Sequence, residues 1–510
     1  MKKIYPKEWL HYHPYSKIDA VDRYYCNVVN RVMKVLYEHD ILGNDALPEE
    51  RVYENTAIFI AAWFEDVISQ TGVWQVFTSQ CEKRYGSRLP FYELNNTYYY
   101  DEINVEDIRF ILWHCFQSKR FGVKIYNPEN LGLKELSEEI YNILDDEYET
   151  APENERLQEF FDFSHLTEDD FLMYRNKVDW FYMNSYINIG CYEDFMDTMA
   201  EQIEKLEEEE DMDVMTAEIK LYSHKVNTIL LARTPLLAIT APEYIKLIQE
   251  FHPASPDAPY MNIDAVNESL YLVESETDKY FVFKSLSGDK AYYKVTKDSL
   301  DLKSNKLVPG DTLVTSTLVK YGEYWSHNGA MMNYSISQNP GMKKKIKELE
   351  ALLSGKNEEK TFKDFIKATK GKRIVFFKDT KEMIQFIEKK VKYKNTLDFD
   401  FSSLGDDSIM LSATREKGLC FMNNLCECVA SPDNPYYNQE KAQKHTIYLL
   451  TYKDSIPYEV ACYLLDSGYL KDAGLNSLLG AEHGRELVSK NAQFIMDYFF
   501  KNCREKDYNF

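Results

Sequence analysis

Three prolines at three-residue spacing, Pro253, Pro256 and Pro259, divide this chain into stretches with different hydrophobic periods. Proline removes a backbone donor and clashes with the preceding turn, so Phe251 to Pro259 reads as an extended linker that no helix crosses. Upstream, from Asp19 to about Phe251, apolar residues recur at three and four. Tyr24, Val28, Val32, Val35 and Leu36 form the stripe of an amphipathic helix. Thr56 to Ile68 is apolar nearly all round, as in a helix buried on several sides. Asn104 is placed as an N-cap, with Glu106 and Asp107 in the first turn and Ile108, Ile111, Leu112 and Cys115 facing inward.

Downstream of the prolines the period shortens. Leu270 to Glu274, Tyr280 to Lys284, Ala291 to Val295, Thr312 to Val319 and Met331 to Ile336 are rich in Val, Thr, Tyr and Phe. Turn signals separate them at Ser287-Gly288-Asp289, Pro309-Gly310-Asp311 and Asn328-Gly329. Five such strands predict a small barrel of the SH3-like or OB type. A second boundary falls at Asn339-Pro340-Gly341, after which helices and strands alternate. Ile374 to Phe377 and Ser408 to Ser412 read as strands, Lys381 to Lys392 as a helix, and helices dominate from Pro435 onward. At about 150 residues per domain, 510 residues suggest three parts. The expected architecture is an α+β multidomain protein: a mainly helical domain over 1–251, a small SH3/OB-like β-barrel over 262–338, and a mixed α/β, helix-rich domain over 341–510.

The charge is confined. Between Glu135 and Glu218 lie 27 Asp/Glu and 4 Lys/Arg, a balance of −23 that equals the net charge of the whole chain. Within that segment Leu136, Ile140, Ile143 and Leu144 keep helical spacing, as do Phe195, Met196, Met199, Ile203 and Leu206. The acidity therefore sits on helices with an apolar face rather than on a disordered tail, and only Glu207 to Asp213 looks like a solvated loop. Three readings stand: a solvated helix face, a docking face for a basic partner or a phosphate-like surface, and internal pairing with residues 341–400, which carry 17 Lys/Arg against 10 Asp/Glu.

Chemical signatures are weak. Phosphate-loop, dinucleotide, zinc-protease and nucleophile-elbow motifs are all missing. Glu65, Asp107 and His114 are candidates for an acid–base site walled by Trp63, Trp74 and Trp113; Asp107 and His114, seven apart, would share a helix face. The same residues fit a helix cap and a hydrogen-bonded core histidine. Cys420, Cys426 and Cys428 form a C-x5-C-x-C group that lacks the paired knuckles of structural zinc sites, and Leu419 to Val429 also fits an ordinary helix with small core cysteines. His11-Tyr12-His13 resembles a metal-ligating pair but lies just before a proline. The barrel carries aromatics, among them Tyr324 and Trp325, with Lys343, Lys344 and Lys345 as a basic flank, so partner or nucleic-acid binding there is weighed. Its own net charge of −2 argues against phosphate attraction. No cofactor is implied. Nine dispersed cysteines, a start without an apolar signal core and a longest strongly apolar run of eight residues, Ala57 to Phe64, suggest a reducing cytoplasm and no membrane span.

Several blocks carry a resemblance: Ile4-Tyr5-Pro6-Lys7-Glu8-Trp9-Leu10, His13-Pro14-Tyr15, Asp22-Arg23-Tyr24-Tyr25, Phe64-Glu65-Asp66-Val67-Ile68-Ser69, Leu89-Pro90-Phe91-Tyr92, Asp101 to Asp107 with Leu112-Trp113-His114, Thr150-Ala151-Pro152-Glu153-Asn154 and Pro432-Asp433-Asn434-Pro435-Tyr436-Tyr437. Together they resemble an uncharacterised, domain-of-unknown-function family of anaerobic gut bacteria. That resemblance implies a cytoplasmic protein and supplies no activity, cofactor or catalytic residue. The expected function is therefore a non-catalytic interaction or scaffold protein using the acidic helices, the barrel, or both. A nucleic-acid accessory protein and a hydrolase or metalloenzyme are the alternatives.

Overall fold

The structure, a computed structural model, describes residues 2–39, 49–117, 124–208, 213–251, 257–286, 291–300, 302, 306–339, 341, 344, 346–347, 356–393 and 407–501, with the backbone alone at 49–50, 267–268 and 356–357. The chain divides into two compact units: Met1–Ser79, Tyr98–Val105 and Glu138–Ser354 form one, and Gln80–Thr97, Glu106–Ser137 and Gly355–Phe510 the other.

Helices of seven residues or more run, up to the proline linker, as α1 Ala20–His39, α2 Glu49–Ser69, α3 Val73–Tyr85, α4 Val105–Phe116, α5 Leu131–Tyr148, α6 Glu155–Phe161, α7 Phe171–Asn184, α8 Cys191–Glu207, α9 Val214–Leu231 and α10 Ala241–Phe251. In the first unit α1 buries the stripe Tyr25, Val28, Val29, Val32 and Leu36 against α2. Every residue of α2 from Ala57 to Phe64 is buried, as its all-round apolarity requires. Asp213 caps α9 by accepting from the Thr216 amide at 3.0 Å, so the acidic stretch also supplies a helix start. The linker residues 252–256 lie outside the described residues.

The barrel belongs to the same unit. Strands β1 Asp264–Glu276, β2 Tyr280–Ser285, β3 Tyr292–Thr296, β4 Thr312–Tyr321 and β5 Tyr324–Ser335 close in the order β1-β2-β3-β5-β4. β1 pairs antiparallel with both β2 and β4, while β3 meets β5 in parallel at Val295 and Trp325. That crossing past β4 is the Greek-key pattern of the OB type. Alternation sends Phe281, Phe283, Tyr293 and Val295 inward to meet Tyr271, Val273, Val314 and Leu318.

Two details of the barrel differ from expectation. The β4–β5 turn is at Gly322-Glu323, and Asn328-Gly329 lies inside β5, beside a break in register between the pairs Thr315–Met332 and Thr317–Asn328. Gly329 has φ of 77°, and a Cβ there would stand 2.1 Å from Val226 Cγ2 on α9. The glycine is needed because the strand crosses a helix at close range, not because the chain reverses. The expected turn at 287–289 lies outside the described residues.

In the second unit, β6 Ile374–Phe377, β7 Ile409–Thr414 and β8 Gly418–Met422 form an antiparallel sheet in that order. It is packed by α11 Lys356–Ala368 and α12 Thr380–Phe386, which continues as one π-helical turn over Ile387–Val391. The segment Leu419 to Val429 is therefore a strand and a 3-10 turn, Cys426–Cys428, rather than a helix. Gly418, at φ of 66°, reverses the chain and pairs β8 with the fully buried β7. Helices α13 Gln439–His445, α14 Tyr458–Asp466 and α15 Ala481–Phe499 follow. Phe494 and Tyr498 of α15 pack on Trp113 of α4 at 6.1 and 5.3 Å between ring centroids.

Candidate functional site

The acidic helices face water. Of the 24 carboxylates between Glu135 and Glu218 whose side chains are described, 20 are exposed and four, Glu147, Asp170, Asp179 and Glu193, are half-buried. Glu209, Glu210 and Asp211 lie outside the described residues. Some of the field is neutralised, and the cations come from α1 and α2. Arg31 binds Glu147, which also accepts from the Tyr24 hydroxyl at 2.7 Å. His39 Nε2 lies 2.6 Å from Glu139, and Arg51 2.6 Å from Glu193. The Tyr24 hydrogen bond, aided by Arg31, holds the Glu147 carboxyl below its usual range.

On α8 the inward face is narrower than the spacing suggested. Cys191 and Phe195 are buried, but Met196 and Ile203 are exposed together with Tyr192. Tyr192, Met196, Met199 and Ile203, four, three and four apart, make a second apolar stripe. Glu204 and Glu207 stand exposed on its flank, with Asp197, Glu201 and Glu208 exposed farther round the helix. Helices α7, α8 and α9 pack on one another, and α7 and α9 add exposed Leu172, Met173, Val214, Met215 and Tyr222. Exposed large apolar side chains on the acidic α8 and on the two helices packed against it are unusual for a surface whose only task is solvation.

Glu65 has a different setting. It is fixed on α2 and binds His13 Nε2 at 2.8 Å, with both side chains 1% exposed. His13 Nδ1 meets the Trp9 carbonyl at 3.1 Å, so both ring nitrogens face acceptors and the imidazolium form satisfies both. Burial pulls the His13 pKa down, but the Glu65 carboxylate and the Trp9 carbonyl outweigh it, and the net direction is upward. The other Glu65 oxygen accepts from Asn154 Nδ2 at 2.8 Å, which also reaches the Tyr15 hydroxyl at 2.7 Å. Tyr15 donates to Asp22 at 3.0 Å, and Arg156 closes the run with a 2.8 Å bond to Asp22. Four of the blocks that carry the resemblance thus meet in one polar network. Its inner end, His13 and Glu65, is sealed from solvent.

Asp107 and His114, by contrast, lie on α4 in the second unit and are buried. His114 Nδ1 is 3.0 Å from the Tyr498 hydroxyl. The tryptophans expected as walls, Trp63, Trp74 and Trp113, are core residues. His13 is taken by Glu65, whereas the His11 ring stands edge-on to Tyr192 at 6.4 Å. Cys420 lies on β8, and Cys426 and Cys428 are in the following turn; burial pushes their thiols up to about 11, 12 and 11. Among the described residues no three His, Cys, Asp or Glu side chains gather as metal ligands would. On the barrel, Trp325 packs on Tyr293 at 4.8 Å and joins the core, while Tyr324 lies 5.7 Å from Tyr280 on the half-exposed side. Lys344 is exposed; Lys343 and Lys345 lie outside the described residues. Among the described residues no helix is long and apolar enough to cross a membrane.

No curated protein and no solved structure matches this chain. A family model described as Protein of unknown function (DUF3843) matches residues 3–290 and 343–501. The unmatched stretch between them holds β3, β4 and β5, the strands that close the barrel. With both units matched over most of their length, the chain belongs to the DUF3843 family of proteins of unknown function.

Proposed function

We propose that this protein is a macromolecular interaction protein whose α7–α9 face docks a basic amphipathic helix of another protein. The observation that carries this is the second stripe on α8: Tyr192, Met196 and Ile203 are exposed, with half-buried Met199 between them, on a helix whose carboxylates are mostly exposed. Apolar area supplies affinity when covered, and the surrounding carboxylates select a cationic partner and speed encounter. At physiological salt screening sets in over about 8 Å, so only lysines or arginines brought to the rim of the stripe gain much.

The test uses two fluorescein-labelled peptides of equal charge, one with Lys and Leu at helical amphipathic spacing and one with the order scrambled, titrated with the full chain and read by anisotropy. The amphipathic peptide is expected to bind more tightly, to weaken as salt rises, and to lose affinity with either Met196→Ser plus Ile203→Ser or Glu204→Lys plus Glu207→Lys. Equal binding of both peptides, or indifference to both pairs of substitutions, refutes the proposal.

The nucleic-acid reading keeps one supporting observation. Lys294 lies 5.5 Å over the Tyr280 ring, next to Tyr324 on the outside of the barrel, an aromatic and cationic pair suited to a stacked base. Retention of single-stranded DNA on a filter at low salt, lost with Tyr280→Ala, supports it; no retention removes it.

A further inference from the structure

The second unit contains a cleft of about 910 Å³ between the Leu89–Glu93 loop, the first turns of α4 and α5, and α15. That volume falls in the range of small-molecule sites. Its floor is built on a strained residue. Phe91 holds φ of 71°, a left-handed conformation that costs a side-chain-bearing residue about 1–2 kcal/mol. Three attachments hold it there. The Phe91 amide donates to Asn491 Oδ1 at 2.8 Å, its ring packs on Trp113 at 4.8 Å, and the next hydroxyl, Tyr92, donates to the Pro128 carbonyl at 3.0 Å. The consequence is that the Tyr92 ring turns under Arg109, whose guanidinium carbon stands 5.5 Å from the ring centroid.

Arg109 is the unusual group. It is half-buried, and among the described residues its one polar contact is a long 3.5 Å bond from Nε to Ser137 and no carboxylate pairs with it. Lys134, also on the cleft wall, has no side-chain partner among the described residues either. The other charges are mostly engaged: Glu129 with His483 at 2.6 Å and Ser477 at 3.2 Å, and Lys490 with Glu486 at 3.0 Å and Glu93 at 3.5 Å. At the mouth Leu131 and Leu479 are 60% and 75% exposed. A guanidinium fork whose terminal nitrogens have no partner among the described residues, backed by an aromatic face and rimmed by leucines, calls for a planar anion on an apolar body. Four glutamates line the same cleft, Glu106 without a partner among the described residues, so a doubly charged phosphate is disfavoured against a single carboxylate.

We infer that this cleft binds the carboxylate end of an apolar molecule, with the head on Arg109 and Lys134 and the body against Phe91, Tyr92 and the two leucines. The inference is independent of the docking face on α7–α9. The carboxylate can come from a free acid or from the C-terminus of a peptide, and calorimetry on the full chain separates them. The probes are octanoate, octanol, a Leu-Leu-Phe peptide with a free C-terminus, and the same peptide amidated. Binding of octanoate, of the free peptide, or of both supports the site and says which source it takes; octanol and the amide are expected to bind at least about tenfold more weakly. Arg109→Gln is expected to weaken the bound acid about ten- to a hundredfold, Glu106→Gln to strengthen it, and Leu479→Ser, a surface change, to weaken it without affecting folding. Failure of both acids to bind, equal affinity for the neutral analogues, or full affinity in Arg109→Gln overturns the proposal.

Discussion

Replacing Gly329 with alanine puts a methyl 2.1 Å from Val226 Cγ2 and asks an L-residue to hold φ of 77°. The backbone term is about 1–2 kcal/mol. The contact term follows from distance: carbon atoms settle about 3.5–4.0 Å apart, so β5 and α9 must separate by roughly 1.5 Å or distort. Overpacking of that kind costs about 1–3 kcal/mol, giving a total of about 2–5 kcal/mol. In a Val226→Ala background the nearest carbon is the Val226 Cβ position at 3.4 Å, an ordinary contact, and only the backbone term remains. The two sites should therefore couple by about 1–3 kcal/mol in a double-mutant cycle. Urea unfolding measures the four stabilities. Hydrogen exchange of the β4 and β5 amides localises the loss to the barrel, which matters because two units need not unfold together. An alanine penalty that is the same in both backgrounds refutes the close approach of strand and helix.

Further outcomes follow from the titratable groups. The folded pKa of His13 lies above 6.5, so its pairing with Glu65 contributes in full below about pH 6.5 and is lost as the pH climbs through the raised value. Glu65→Gln should cost about 3–5 kcal/mol near pH 6 and progressively less toward pH 9; a gap that is constant or widens contradicts the buried imidazolium. Lys177 sits 4.5 Å from each of the Phe160 and Phe163 rings, and burial, opposed by Asp162 and Glu159, pushes it down to about 8. Because the unfolded chain keeps that proton longer, stability should rise between about pH 8 and 10.5, and Lys177→Met should remove the rise; an unchanged slope rejects it. With thiols at about 12 and 11, Cys426 and Cys428 should alkylate slowly with iodoacetamide at about pH 8 until urea is added, and rapid labelling in the folded protein opposes their burial.

The sequence made much of this architecture visible, because period is a local property. The α1 stripe, the buried α2 and the alternation in β2 and β3 all appear in spacing alone. What spacing misses is which faces meet. Asn328-Gly329 has the composition of a hairpin turn, but its glycine answers to Val226, about a hundred residues earlier in sequence. Leu419 to Val429 has the apolar content of a helix, and only pairing with β7 makes its first part, up to Met422, a strand. Residues 80–97 and 106–137 continue the helical spacing of the N-terminal part yet pack with residues 355–510. Local pattern does not encode that grouping. On α8 both stripes were present in the sequence; four-three-four spacing did not say which one faces water. The polar network was legible only as the separate candidates Glu65 and His13, since its members come from four distant segments. Arg109 had no sequence signature at all, because what singles it out is that no carboxylate among the described residues pairs with it, although Glu106 lines the same cleft.

The docking claim is tested most directly by hydrogen exchange on the full chain with and without the amphipathic Lys/Leu peptide. New protection is expected to concentrate in Cys191–Glu207, with weaker protection in neighbouring α7 and α9, and to disappear at high salt. Protection that falls elsewhere, or none at saturating peptide, means the carboxylates of α8 and the apolar stripe among them serve only to face water.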